Sequence, residues 1–201
     1  MPIANFFIRK ILKAYKDLNY YDEDDVDIIR FGLEAFFWEI EKLVYLAVIF
    51  VLLGYGWQFL ACTVAVMSVR PMAGGFHAST AWRCFWWTLL GFALAILVLP
   101  FITLSHTLIV FLGVFSLVST TIAAPLRSAQ MEPIANKDKD KLKKTVAIIV
   151  TVIWFVVLFI YQEHFLATSV IWAMFLQNLQ LIITWVRRKR HYKQREKRRK
   201  S

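Results

Sequence analysis

Six apolar segments recur along the chain, and they constrain its fold more strongly than any other feature of the sequence. A helix needs about 20 mostly apolar residues to cross the roughly 30 Å hydrocarbon core of a bilayer. Hydrophobic residues make up 59% of the 201 residues and charged residues only 19%, which is too apolar for a soluble domain of this size. We therefore predict an all-α, polytopic integral membrane bundle of about six transmembrane or half-membrane helices. The six segments are 31–53, 57–69, 85–100, 107–124, 145–161 and 167–186.

The second segment decides whether the chain crosses the membrane five or six times. Residues 57–69 number only 13, which is short for a full crossing unless the helix continues past Arg70. A re-entrant segment within residues 57–84 is an alternative, because broken backbone is tolerated where it is buried in protein. In a third interpretation, residues 43–69 form one span of 27 residues, which leaves five crossings.

The distribution of basic residues predicts the topology. All 24 Lys and Arg residues lie in alternate connections, in the terminal regions or at Lys42, and the other connections contain none. With six crossings, every basic region lies on one side and every connection without Lys or Arg on the other, as the positive-inside rule requires. We therefore expect both termini on the cytoplasmic side. The basic regions are 1–30, 70–83, 126–144 and 187–201, and the connections without Lys or Arg are 54–57, 101–106 and 162–166.

The two ends of the chain differ from the membrane domain at residues 29–186. Residues 1–28 combine apolar and basic side chains at helical spacing with an acidic cluster, which predicts an N-terminal amphipathic helix at the cytoplasmic membrane surface. Residues 187–201 form a basic cytoplasmic tail, with ten Lys or Arg residues and one acidic residue, and we expect its end to be disordered. Although the net charge is +10, the basic residues flank apolar segments. We therefore expect the lipid bilayer, and no nucleic acid, as their partner.

A short motif brings reactive side chains to the start of the third apolar segment. Residues 70–84, which we call the His–Cys motif, contain His77 and Cys84 seven positions apart, after the pair Gly74–Gly75. A thiol attacks as the thiolate, and a neighbouring His can accept its proton. Glycines let the backbone approach a ligand closely. We predict Cys84 as the nucleophile and His77 as its base; an incidental His–Cys pair is the alternative.

The spacing of the two residues requires a break in the helix if they form a dyad. On one straight helix, residues 77 and 84 would share a face but lie about 10.5 Å apart along the axis. Hydrogen-bond reach is only about 3 Å. We therefore predict a bend that begins at the Gly-Gly pair and a new helix that begins near Ser79. Ser79 or Thr80 would cap this helix, and the cysteine would lie within its first two turns.

Other polar residues in the apolar segments are open to several interpretations. Glu34 could orient His77 as the third member of a triad. It could instead pair with Arg70 or Lys42, or face lipid headgroups. Cys62 lies within an apolar run, and we expect it to be a packing residue. Two cysteines and four scattered histidines lack the spacing of metal ligands, so we expect no metal site and no cofactor.

The His–Cys motif resembles the signature of the accessory gene regulator protein B (AgrB) family. This family comprises bacterial membrane cysteine endopeptidases that process quorum-sensing propeptides. The chain length, the six segments and the position of the motif in the first half of the chain are similar to the family. A Gly-Leu-Glu element that ends at Glu34 and a lysine-rich loop after Pro125 resemble weaker family features. The motif residues that carry the likeness are Arg70, Gly74, Gly75, His77, Ala78, Thr80 and Cys84.

The resemblance implies a reaction and a location. Cys84, activated by His77, would cleave off the C-terminal part of a small AgrD-like propeptide and form a thioester acyl-enzyme. The peptide's own Cys or Ser would then close a thiolactone or lactone ring, which yields an autoinducing peptide. The protein would be a multi-pass protein of the bacterial cell membrane. Glu34, Arg70 and the Gly-Gly pair are candidate supporting residues, and the small size of the bundle suggests a homodimer.

Two other classes of function fit the same sequence. The chain could be a peptide transporter or exporter without protease activity, in which the polar motif lines a path. It could also be a receptor-like or structural membrane protein with an incidental cysteine. The thiol of Cys84 separates these classes, because only the enzyme requires it.

Overall fold

The computed structural model describes residues 8, 10–12, 23–74, 80–126, 137–161 and 164–200. Six long helices account for most of this part of the chain, and the described residues contain no strand, only an isolated bridge. The all-α fold predicted from the sequence is therefore confirmed. The helices are α1 (Glu23–Leu52), α2 (Gly56–Ala73), α3 (Ala81–Ala93), α4 (His106–Ala123), α5 (Lys137–Ile160) and α6 (Phe165–Lys200).

Among the described residues, four helical stretches are long and apolar enough to cross a membrane, which agrees with the predicted membrane bundle: α4, α5, α6, and α3 together with the π and 3-10 turns that follow it. Within the described residues, α1 and α2 lie outside this set, although they match the first two predicted segments. The charged residues Glu39, Glu41 and Lys42 interrupt the apolar part of α1, and α2 contains Arg70 and Pro71. The four candidate spans are Trp82–Phe101, His106–Ala123, Asp138–Ile160 and Phe165–Arg190.

A glycine ends α1, and a proline ends the helical stretch that follows α3. Gly54 has φ +81°, a left-handed conformation that glycine adopts without steric cost. Tyr55 N donates to Phe50 O at 2.8 Å, which satisfies a carbonyl at the end of α1. After α3, the backbone widens into a π turn at Leu94–Val98 and then tightens into a 3-10 turn at Leu99–Phe101. The proline in this last turn cannot donate a backbone hydrogen bond, so the helix ends here.

The chain forms two compact units. The first comprises Met1–Gly56 and Ser79–Trp86, and the second comprises Trp57–Ala78 and Trp87–Ser201. In the second unit, α4 packs against both α5 and α6. The buried Thr120 Oγ1 of α4 donates to Asn178 Oδ1 of α6 at 2.8 Å.

The two ends of the chain are described only in part. Residues 8 and 10–12 are helical, with Ile8 buried and Lys10 exposed, while the other residues before α1 lie outside the described part. At the other end, α6 continues to Lys200, so the expectation of a disordered basic tail is wrong. The tail continues an apolar helix without interruption, and its Lys and Arg residues are good helix formers.

Candidate thiol site

The His–Cys motif begins at the end of α2, at a glycine whose backbone no other residue could adopt without strain. Gly74 has φ +81°, and Leu126 N donates to Ala73 O at 2.9 Å. A Cβ atom at Gly74 would overlap the backbone carbonyl of Leu126. Both the conformation and the space therefore require glycine. The predicted bend at Gly74 is confirmed, whereas Gly75 and His77 lie outside the described residues.

Arg70, a candidate supporting residue, lines a small cavity in the second unit. The cavity has a volume of about 40 Å³, and its polar lining includes Thr88, Gln177 and Gln180. Arg70 is half-buried in the last turn of α2, and Gln177 is buried on α6. Arg70 therefore lines the same cavity as residues whose amide and hydroxyl groups can form hydrogen bonds.

The second half of the motif begins a new helix, as the spacing argument requires. Thr80 Oγ1 accepts a hydrogen bond from Arg83 N at 3.3 Å, and Thr80 O accepts one from Cys84 N at 3.1 Å. Thr80 is therefore the N-cap of α3. Of the two predicted caps, the structure describes Thr80, and Ser79 lies outside the described residues. Cys84 lies in the first turn of the helix, in agreement with the prediction.

Cys84 lies against a buried ammonium group that belongs to α1. Lys42 Nζ is 3.8 Å from Cys84 Sγ, within hydrogen-bond distance for sulfur. The same nitrogen donates to Glu39 Oε2 at 2.6 Å. Lys42 is 1% exposed, while Cys84 is half-buried. Because all three residues belong to the first compact unit, we treat Glu39, Lys42 and Cys84 as one feature, the Lys–thiol cluster.

The cluster gives the thiol a cationic neighbour. An isolated buried ammonium is costly, and the ion pair with the Glu39 carboxylate offsets this cost. A cationic donor beside sulfur is typical of the electropositive surroundings in which reactive cysteines lie. The N-terminus of α3 adds a smaller positive potential through the helix dipole. The exposed Arg83 adds a screened positive charge on the same turn.

Aromatic side chains flank Cys84 on α3. Phe85 is buried, and its ring packs edge-on against Trp82 and Trp86, with ring centroids 6.1 Å and 5.6 Å away. Trp82 and Trp86 are themselves 64% and 60% exposed. Exposed tryptophans are typical of a membrane interface, and their rings also contact apolar peptide groups well. The thiol therefore lies beside an exposed aromatic surface.

Glu34, the candidate third member of a triad, contacts Arg30. Arg30 Nε lies 3.0 Å from Glu34 Oε1, one helical turn away on α1. Lys42, one of the partners predicted for Glu34, forms its ion pair with Glu39. A solvent-accessible pair of this kind contributes at most about 1 kcal/mol. A role of Glu34 toward His77 stays a prediction, because His77 lies outside the described residues.

The motif spacing points to Cys84 but not to the cation beside it. From the sequence alone, Lys42 has only a possible pairing with Glu34, and Glu39 has no assigned role. The sequence feature that could have identified Glu39 and Lys42 is their i, i+3 spacing as an acid and a base within an apolar segment. Ionisable residues in such segments often mark functional sites. Cys62 is fully buried in α2, as expected of a packing residue. In the described part of the chain, no group of three His, Cys, Asp or Glu side chains could hold a metal ion.

The fold and the site together define an all-α membrane protein whose cysteine thiol lies against a buried ammonium group. The profile of the family described as Accessory gene regulator B matches residues 3–182. The chain therefore belongs to the AgrB family. Family membership gives the chain a role in processing quorum-sensing propeptides of the AgrD type.

Two clostridial proteins with AgrB-like names are similar to the chain over most of its length. One, from Clostridium perfringens (strain 13 / Type A), is 25% identical over 180 residues, which cover 87% of this chain and 95% of the relative. The other, from Clostridium beijerinckii, is 25% identical over 162 residues, which cover 79% of this chain and 78% of the relative. No solved structure matches the chain.

Proposed function

We propose that the chain is a membrane cysteine endopeptidase that removes the C-terminal part of an AgrD-like propeptide and promotes cyclisation to an autoinducing peptide. The observation that carries this proposal is the 3.8 Å contact between Lys42 Nζ and Cys84 Sγ. Reactive cysteines lie in electropositive, partly accessible surroundings, whereas structural cysteines are buried among apolar groups, as Cys62 is. Family membership supplies the class of substrate.

The first half of the proposed reaction forms an acyl-enzyme. Cys84 loses its thiol proton to His77, and the thiolate attacks the scissile carbonyl carbon of the propeptide. The S–C bond forms, the C–N bond breaks, and the proton on His77 passes to the leaving amine. The products are the released C-terminal peptide and a thioester between the remaining peptide and Cys84.

The second half of the reaction closes the ring. An internal thiol or hydroxyl of the bound peptide attacks the thioester carbonyl carbon, and its proton passes through His77 to the departing Cys84 sulfur. With an internal thiol, one thioester replaces another, so the exchange is nearly balanced before ring strain. Departure of the released C-terminal peptide helps drive the two reaction steps forward.

Co-expression of the chain with an AgrD-like propeptide tests the proposal, with mass spectrometry of membranes and medium as the readout. We expect Cys84→Ala and His77→Ala to abolish cleavage while membrane insertion persists. Cys62→Ala is the matched control, and we expect it to cleave normally, because Cys62 only packs within α2. An acyl adduct trapped on Cys84 would support the proposal directly. Cleavage by the Cys84→Ala variant would contradict it, and peptide export without cleavage would favour a transporter.

We also propose the topology and assembly that the sequence predicts. Both termini lie on the cytoplasmic side, on the basis of the charge distribution. The protein is a homodimer, because a second copy would cover polar groups that a small bundle leaves at its surface. Reporter fusions at each terminus test the topology, and cross-linking in membranes tests the dimer. A reporter signal from the extracellular side would contradict the topology. Recovery of the monomer only, after cross-linking, would contradict the homodimer.

A further inference from the structure

We infer that Lys42 is a further catalytic residue of the thiol site and that Glu39 is the residue that positions it. This inference rests on the proposed function, since it assigns both residues a role in the reaction of Cys84. Lys42 contacts the reacting atom itself, with its Nζ 3.8 Å from Cys84 Sγ. Glu39 acts through Lys42, because Glu39 Oε2 accepts a hydrogen bond from Lys42 Nζ at 2.6 Å.

The burial of Lys42 is the observation that an ion pair alone does not explain. Glu39 and Lys42 lie one turn apart on α1, yet the Glu39 side chain is 30% exposed and the Lys42 side chain only 2%. A lysine that only paired with this carboxylate could extend its flexible stem and keep its charge in water. Instead, the ammonium group is withdrawn from water and lies between the carboxylate and the sulfur. Desolvation of a charge is costly, so its place beside the nucleophile indicates a function.

Lys42 acts as a fixed cation in this arrangement. The ammonium group already donates a hydrogen bond to Glu39 Oε2, and the proposed function assigns the thiol proton to His77. When Sγ becomes the thiolate, the ammonium group keeps its three protons and donates a charge-assisted hydrogen bond to it. No bond to the nitrogen forms or breaks. Other charges near the sulfur are the exposed Arg83 on α3 and the Glu39 carboxylate, which lies beyond Lys42.

Alkylation of Cys84 by iodoacetamide measures this effect without any peptide substrate. The chain has two cysteines, so a Cys62→Ala background leaves Cys84 as the only thiol. In the full-length protein in vesicles, we expect Lys42→Met to slow alkylation at pH 7 by about tenfold to a hundredfold, the range for a hydrogen bond to a charged group. Lys10→Met removes an exposed lysine and is the matched control. In denaturant, all variants should react at the same rate.

Two further variants separate the cation from a base and from a structural ion pair. Lys42→Arg keeps the charge but cannot act as a base, so we expect it to retain a rate within about threefold of the parent. The double variant Glu39→Gln/Lys42→Met removes both charges and leaves no unpaired carboxylate, so it should fold even if Lys42→Met does not. We expect the double variant to react as slowly as Lys42→Met, because the cation is still missing.

The outcomes distinguish this inference from the proposed function. Unchanged alkylation in Lys42→Met, full recovery in the double variant, or an equal loss in a folded Lys42→Arg protein would each overturn the role of Lys42. None of these results would contradict the proposal that Cys84 cleaves the propeptide. Propeptide cleavage by Cys84→Ala would overturn the proposed function, whatever the alkylation rates. Slow alkylation in both variants that lack the cation, with a normal rate in Lys10→Met, supports the inference.

Discussion

Two of the polar clusters in the described helices differ in charge and in what they contact. In the first compact unit, Lys42 joins the carboxylate of Glu39 to the sulfur of Cys84. In the second, Thr120 donates to Asn178, and the Asn178 amide nitrogen donates to a backbone carbonyl of its own helix at 2.9 Å. The second cluster is neutral, and its members satisfy one another. The first is charged and includes the thiol of Cys84.

From this difference we infer that the neutral cluster holds the fold and that the charged cluster serves the proposed reaction. Neutral side chains that bond across helices stabilise a bundle at little cost, because no charge is desolvated. A buried ion pair commonly contributes no more than apolar residues of the same size. The ion pair in the Lys–thiol cluster is therefore not expected to increase the stability of the fold. A cation beside a thiol is expected to increase the reactivity of that thiol. The predictions below test this distinction, beginning with the largest expected effect.

Lys42→Met should reduce the turnover of propeptide far more than its binding. We expect kcat to fall by about tenfold to a hundredfold and KM to change by less than about twofold, because the cation contacts the nucleophile and not the substrate. Initial rates in vesicles over a range of propeptide concentrations measure both constants. Lys10→Met should match the parent. An unchanged kcat would make the Lys–thiol cluster as structural as the pair formed by Thr120 and Asn178.

Asn178→Ala should have the opposite profile. We expect the free energy of unfolding to fall by about 1–3 kcal/mol, because the buried Thr120 hydroxyl loses its acceptor. Alkylation of Cys84 should stay normal in the folded protein. The double variant Thr120→Val/Asn178→Leu should recover much of the stability, since it leaves no unsatisfied polar group. Chemical unfolding in detergent measures both. Slow alkylation in folded Asn178→Ala would contradict the division between the two clusters.

The sequence was sufficient for the fold class and for the bend at Gly74, and the reasons are local. Apolar segments and helix geometry act over a few turns, so they can be read along the chain. The contact between Lys42 and Cys84 joins residues 42 positions apart and depends on how two helices pack. The close approach of Leu126 to Gly74 is equally non-local. Sequence spacing could predict the broken helix, but it could not predict these partners.

Thr80→Ala tests whether the helix terminus contributes to the thiol site beside the cation. The variant removes the side chain that caps α3 and should lower the free energy of unfolding by about 1 kcal/mol. We expect a fall of less than about threefold in the alkylation rate of Cys84, because the dipole effect is smaller than that of a direct charged donor. Thr80→Asn keeps a capping oxygen and should match the parent. A loss as large as that in Lys42→Met would show that the cap, and not the cation, dominates.

Glu34→Gln should have the smallest effect. Glu34 and Arg30 form a solvent-accessible pair on one helix, so the free energy of unfolding should change by less than about 0.5 kcal/mol and cleavage by less than about twofold. Arg30→Gln breaks the same ion pair and is the matched control. If only Glu34→Gln reduced cleavage, and did so by more than about tenfold at unchanged stability, the carboxylate would have a role beyond its pair. Such a result would favour Glu34 as the group that orients His77, and the thiol site would then use two carboxylates of α1, Glu34 and Glu39.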